Sequence, residues 1–242
     1  MKQCYRLANR NIEVCSLYPD IHSLCLDYRA DGPADFLVET GMADIARERE
    51  LSARVDALTG KAHRYSDGYL ETLAVYRKIA ERMPDYDTVL CHGSCVAVDG
   101  AGYLFAAPSG TGKSTHARLW RELLGDRAVM VNDDKPLIQI TDVGATAFGT
   151  PWNGKHRLSC NIAVPLKAVC VLERAERNAI CPITASEAYS VLLRQIYLPA
   201  DSAAMRKTIM MIDRLIGVVR LWRLGCNMEP EAAKIAYEAM KE

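Results

Sequence analysis

The stretch that most constrains this chain is Tyr103-Leu104-Phe105-Ala106-Ala107-Pro108-Ser109-Gly110-Thr111-Gly112-Lys113-Ser114-Thr115. An apolar strand runs into a loop with two glycines, then Lys-Ser, then an amphipathic segment that reads as a helix with Leu119, Trp120, Leu123 and Leu124 on its buried side and a stop at Gly125. A strand, a glycine-bearing loop and a helix start in that order hold phosphate groups, because successive backbone N–H groups point inward and the helix N-terminus adds a favourable field. Gly110 and Gly112 let the backbone approach the phosphates, Lys113 brings a mobile positive charge, and the Ser114 hydroxyl can ligate magnesium. Where the usual pattern begins with glycine this chain has Ala107, which serves only with a negative φ.

The flanking pattern is α/β. Residues 88–92, 96–98 and 103–107 read as strand, hairpin and strand, with a turn at 99–102. A further apolar strand at 128–131 ends in Asn132-Asp133-Asp134, and apolar runs at 136–140 and 168–172 are followed by helices around 186–197 and 205–218 and a terminal helix begun by Pro230. Upstream, residues 12–15 and 24–28 alternate as hairpin strands, residues 42–55 suit a helix, and a second helix with Tyr69, Leu73, Tyr76, Ala80 and Met83 on one face stops before Pro84. We therefore expect an N-terminal strand-rich and helical subdomain over 1–85 and a nucleotide-binding core over 86–242.

Composition excludes several function classes. With 30 basic and 30 acidic residues the chain lacks the cationic surplus that phosphate backbones require, so nucleic acid is not expected as a partner. No stretch approaches the roughly 18 apolar residues of a membrane span. The N-terminus has no apolar leader, and nine cysteines, an odd number, argue for a reducing compartment over a disulfide framework, so a cytoplasmic location is expected. Cys91 and Cys95 lack a second pair at zinc-site spacing, and His22, His63 and His116 have no metal-like partners.

Asp133 and Asp134 follow their strand about twenty residues after the loop, where one carboxylate can bind magnesium and the other can take a proton from an acceptor hydroxyl. The later stretch Gly149-Thr150-Pro151-Trp152-Asn153-Gly154-Lys155-His156-Arg157 could close over an acceptor, with Lys155 or Arg157 neutralising a transferring phosphoryl group, or could be a solvated turn whose Trp152 caps the core.

His92-Gly93, a hairpin, Ser109-Gly110-Thr111-Gly112-Lys113-Ser114 and then Val131-Asn132-Asp133-Asp134-Lys135 resemble, in order and spacing, the catalytic core of HPr kinase/phosphorylase. The loop is also similar to that of the phosphoenolpyruvate carboxykinases. The resemblance implies an α/β fold with a P-loop nucleotide-binding core of HPr kinase/phosphoenolpyruvate carboxykinase type and an N-terminal β-hairpin and helix subdomain. It implies ATP and Mg2+ as cofactors, residues 109–115 (Ser109, Gly110, Thr111, Gly112, Lys113, Ser114 and Thr115) around the phosphates, Ser114 and Asp134 on the metal, and Asp133 as the base. His92 would lie beside the carboxylates and orient Asp133. The acceptor would be a hydroxyl-bearing protein or peptide, with seryl groups favoured, or a small-molecule alcohol, and the protein a homo-oligomer. The chain is too short for a carboxykinase. Residues 149–157 lack the signature that the bifunctional HPr enzymes carry after their paired Asp, so neither HPr nor the reverse reaction carries over. A nucleotide-sensing module without turnover stays open as the rival reading.

Overall fold

In the computed structural model, which describes residues 1–60 and 62–242, the chain divides into two units, Met1–Arg82 and Met83–Glu242. The first begins with β1 (Lys2–Leu7) and β2 (Arg10–Cys15), an antiparallel hairpin that buries Tyr5, Leu7, Ile12 and Val14 on one face. Ala8 and Asn9 turn the chain with φ of 45° and 63°, the left-handed pair that a two-residue hairpin turn needs. The strand expected over 24–28 is absent. Helix α1 (Asp20–Leu24) and a single 3-10 turn, Leu26–Tyr28, stand there, because Ile21, Cys25 and Tyr28 are the buried residues and their spacing is helical.

β3 (Phe36–Glu39) joins β2 in parallel, and α2 (Met42–Thr59) and α3 (Asp67–Arg82) complete the unit. Ala80, and Met83 just after the helix, are buried as expected, but α3 is partly rotated: Leu70, Ala74, Val75 and Ile79 supply the rest of its inward face and Tyr69 is exposed. Glu71 explains the rotation. Its buried carboxylate accepts from the backbone amides of Leu17 and Tyr18 at 2.7 and 2.8 Å and from the Thr40 hydroxyl at 2.7 Å. A carboxylate fully supplied with donors belongs inside, which apolar periodicity alone cannot show.

The second unit contains β4 (Thr88–Leu90), β5 (Gly93–Val98), β6 (Ala101–Ala106), α4 (Lys113–Leu124), β7 (Ala128–Asn132), β8 (Leu137–Thr141), β9 (Gly144–Phe148), β10 (Ala163–Arg174), β11 (Ala179–Pro182), α5 (Ala185–Gln195), α6 (Ser202–Val218), β12 (Arg220–Cys226) and α7 (Pro230–Met240). The strands form one mixed sheet in the order β4-β8-β9-β10-β6-β5-β7, with β12 parallel to β10 and β11 antiparallel to β12. β9, β11 and β12 have no counterpart in the sequence reading. The apolar stretch 215–222 divides between the end of α6 and β12. The β5–β6 hairpin turns on Asp99 and Gly100 alone, with φ of 50° and 82°, which is tighter than the 99–102 turn expected.

Both faces of this sheet are covered, and strict alternation sorts the side chains. Val96, Val98, Tyr103 and Phe105 pack under Ala117 and Trp120 of α4 and Ala233, Ala236 and Met240 of α7. Cys95, Ala97, Leu104 and Ala106 face the other way, toward Leu192 of α5 and Met211, Ile212 and Leu215 of α6. Trp120 is fully buried against Tyr103 and Phe105, and truncating such a side chain to Ala typically costs about 3–5 kcal/mol. Leu123, expected inside, is 43% exposed; His116 takes the inward position one turn before Trp120 instead. No described helix is long and apolar enough to cross a membrane.

Candidate functional site

β6 ends under the loop, and α4 begins at Lys113. Gly110 and Gly112 have φ of 80° and 123°, the region that favours glycine, whereas Ala107 is not among the described residues with positive φ and is buried. The condition on Ala107 is therefore met. Ser109 and Gly110 are exposed, and Thr111, Gly112, Ser114 and Thr115 are half-buried. The Lys113 ammonium lies inside the loop, donating to the Ala107 carbonyl at 2.8 Å and reaching that of Pro108 at 3.5 Å. Burial pulls the Lys113 pKa below the ordinary lysine range, with the charge of Asp134 opposing it. Arg174, from the end of β10, donates to the Gly110 carbonyl.

The second half of the site is the turn after β7. Asn132 is buried, and its side-chain oxygen accepts from the backbone amides of Asp134 and Lys135 at 2.8 and 2.6 Å. Its amide nitrogen donates to the carbonyl and hydroxyl oxygens of Thr150, both at 3.0 Å. This side chain folds the turn so that successive carboxylates point apart. Asp133 turns inward: Ser94 on β5 donates to its Oδ1 at 2.9 Å, and the Ser114 hydroxyl is bonded to it as well. Asp134 turns outward, with Oδ1 at 3.3 Å from His92 Nε2 and 3.3 Å from Lys135 Nζ.

These surroundings separate the two acids electrostatically. Burial raises the Asp133 pKa above the usual carboxylate range, and the bonds from Ser94 and Ser114 only partly offset it. Burial also acts on Asp134, but the bond from His92 and the charge of Lys135 outweigh it and hold Asp134 below that range. Paired acids pushed in opposite directions suit different protonation tasks. His92 was expected to orient Asp133; it faces Asp134 instead, because Asp133 is turned toward the serines.

Behind His92 stands Gln195, the last residue of α5 and buried. Its carbonyl accepts from the His92 amide at 2.6 Å. Its side chain lies among three acceptors, so the amide nitrogen faces them, donating to the Ala107 carbonyl at 2.9 Å and to His92 Nδ1 and the His92 carbonyl at 3.2 Å each. With Nδ1 accepting, the ring proton sits on Nε2, aimed at Asp134. Gln195 thus touches both the resting acceptor of Lys113 and the imidazole.

The stretch over 149–160 packs across the end of β7. Gly149 permits the approach: a Cβ there would meet the Cys160 carbonyl oxygen at 1.8 Å. Gly154, at φ 69°, lies against the Asp134 side chain. Trp152 is buried, while Lys155, His156 and Arg157 are exposed. Of these three basic residues, it is the charge of His156 that acts on Asp133. Arg157 lines a separate cavity with Arg121 from the last turn of α4 and Asp126 from the 3-10 turn after it.

The structure therefore brings Lys113, Ser114, Asp133, Asp134 and His92 together; Lys155, next to Gly154, is exposed, and Arg157 lines the separate cavity. Ser94, Asn132, Gln195 and His156 complete the arrangement. Only Asn132 carried a sequence signal, an Asn opening a turn; Ser94 and Gln195 lie in regular elements far apart in the chain.

The chain belongs to the family described as SynChlorMet cassette protein ScmC, whose match spans residues 68–210, more than half of the chain and the whole of this site. Among solved structures, the HPr(Ser) kinase/phosphatase from Coxiella burnetii is similar with a TM-score of 0.33 and 9% sequence identity, covering 63% of this chain and 99% of that one. No curated protein sequence matches the chain.

Proposed function

We propose that the chain is a magnesium-dependent kinase that transfers the γ-phosphoryl group of ATP to a hydroxyl acceptor, a seryl group of a protein or peptide. The observation that carries this reading is the pair Asp133 and Asp134 beside a Lys-Ser loop, one acid with raised and one with lowered proton affinity. Nucleotide sensing alone needs a metal carboxylate and gives no task to the second acid.

In this reading the backbone of 109–115 cradles the phosphates and Lys113 leaves the Ala107 carbonyl for the β and γ oxygens. Ser114 and Asp134 offer hard oxygen donors to Mg2+, and Asp134 is suited to it by staying ionised. Among the described residues no three His, Cys, Asp or Glu side chains form a metal cage; magnesium ordinarily fills its other positions with phosphate oxygens and water. When bound, the metal would neutralise charge on the phosphates. Asp133, whose proton affinity burial raises, accepts the proton of the acceptor hydroxyl. His92 holds Asp134 in place. The cytoplasm supplies ATP and keeps the cysteines reduced, so we place the enzyme there.

A second assignment has one observation in its favour: the Ser114 hydroxyl touches Asp133, not Asp134, so the two acids could exchange roles. The test is ADP formation across seryl peptides, sugars and polyols, with Asp133→Asn and Asp134→Asn beside the native chain. We expect Asp133→Asn to keep ATP affinity and lose transfer by roughly 100-fold or more, and Asp134→Asn to lose the magnesium-dependent part of the affinity. The reverse pattern would exchange the roles. ATP binding with no acceptor-stimulated turnover would sink the kinase reading in favour of the sensor.

A further inference from the structure

β7 is the last strand of its sheet, and its outer side is only half occupied. The Asp133 amide donates to the Leu158 carbonyl at 3.1 Å, and the Cys160 amide to the Val131 carbonyl at 3.2 Å. Among the described residues, 128–130 have β5 on one side and no strand on the other. Here the strand meets a cavity of about 530 Å3 lined by the apolar Val129, Met130 and Leu158 and by Arg121, Arg157 and Asp126.

The two guanidiniums are unusual for this surface. Nearby Arg118 is paired with Glu122 and Arg127 with Asp99. Among the described residues neither Arg121 nor Arg157 has an ion pair or a side-chain hydrogen bond. One carboxylate, Asp126, faces the same cavity, so its balance is positive in a chain whose total charge is zero.

We infer that this cavity is a docking groove for an extended acidic peptide, the part of the acceptor that lies away from its phosphorylated residue; the inference rests on the kinase reading for that last clause only. An open strand edge takes an added strand through main-chain bonds, and side chains at alternate positions set specificity. Arg forks match carboxylates in a bidentate way, and Val129, Met130 and Leu158 receive apolar side chains between them. The same loop carries Gly154 against Asp134 and, a few residues on, Arg157 into the groove. A chain held at Arg157 is thereby kept beside the carboxylates.

The experiment is fluorescence anisotropy with a fluorescein-labelled decapeptide of alternating Glu and Val ending in Ser, and the same peptide with Lys for Glu. The full chain should bind the acidic peptide and not the basic one, and the Arg121→Gln/Arg157→Gln double variant should weaken binding by roughly tenfold or more. ADP affinity measured on the same samples should be unchanged by the double variant, which reports that it is folded. Absent binding of the acidic peptide, binding indifferent to both substitutions, or full displacement by millimolar inorganic phosphate would each overturn the groove. Arginine-dependent peptide binding with no acceptor-stimulated ADP formation across the panel of seryl peptides, sugars and polyols would keep the groove and reject the kinase.

Discussion

Lys113 and Ala107 close the loop on itself: the ammonium of the one rests 2.8 Å from the carbonyl oxygen of the other. The cation is buried there, and burial lowers its pKa. Lys113→Ala should weaken ADP binding roughly 10- to 100-fold, the equivalent of about 1.5–3 kcal/mol for a hydrogen bond to a charged group. Lys113→Arg should not restore it, because the larger fork has more donors than the loop has carbonyls to offer. Calorimetric titration with ADP reads both; unchanged affinity in Lys113→Ala would remove the loop from the nucleotide site.

Gln195 acts through His92. In Gln195→Leu the Nδ1 atom loses its donor, and the imidazole is free to sample both neutral tautomers. Long-range 15N–1H correlation spectra should show the Nε2-protonated form in the native chain and a mixture in the variant. ADP affinity should remain within about twofold, since the Gln195 side chain bonds to His92 and the Ala107 carbonyl and to none of residues 109–115. An unchanged tautomer would mean that Asp134 alone sets the ring.

Gly149 is a steric prediction. An added Cβ would lie 1.8 Å from the Cys160 carbonyl oxygen and 2.7 Å from that of Val131, both backbone atoms. Gly149→Ala should destabilise the chain by about 2–4 kcal/mol in urea unfolding. Gly144, whose Cβ would meet nothing within 4 Å, is the control, and Gly144→Ala should stay within about 0.5 kcal/mol.

His116 gives the chain a pH dependence. Its Nε2 accepts from Trp120 Nε1 at 3.0 Å, and burial pushes its pKa down to about 4. The folded value lies below the unfolded one, so this contribution is whole above about pH 6.5 and is lost as pH falls toward 4, where the unfolded chain alone takes up the proton. The loss amounts to about 3 kcal/mol at most at 1.4 kcal/mol per pKa unit. Urea midpoints at pH 7.5 and 4.5 should differ more for the native chain than for His116→Phe. Equal shifts in the two proteins would mean that His116 is not the titrating group.

How much was legible beforehand differs by element. The β5–β6 hairpin, the loop and α4 carry their instructions locally: Asp-Gly for the turn, glycines where φ must be positive, an apolar stripe for the helix. The segment 24–28 misled because its apolar residues fit alternation as well as a helical spacing, and burial by the rest of the unit decided between them. α3 misled because a glutamate held by three donors takes an inward place.

The site divides the same way. Residue order alone sufficed to nominate Lys113, Ser114 and the adjacent Asp133 and Asp134, since a glycine-bearing Lys-Ser loop and a carboxylate turn are each short and continuous. Which acid faces His92 and which faces the serines was decided only by the fold, because β5, α5 and the turn after β7 meet through sheet order and packing, and no local pattern encodes the distance between a side chain on one element and a side chain on another.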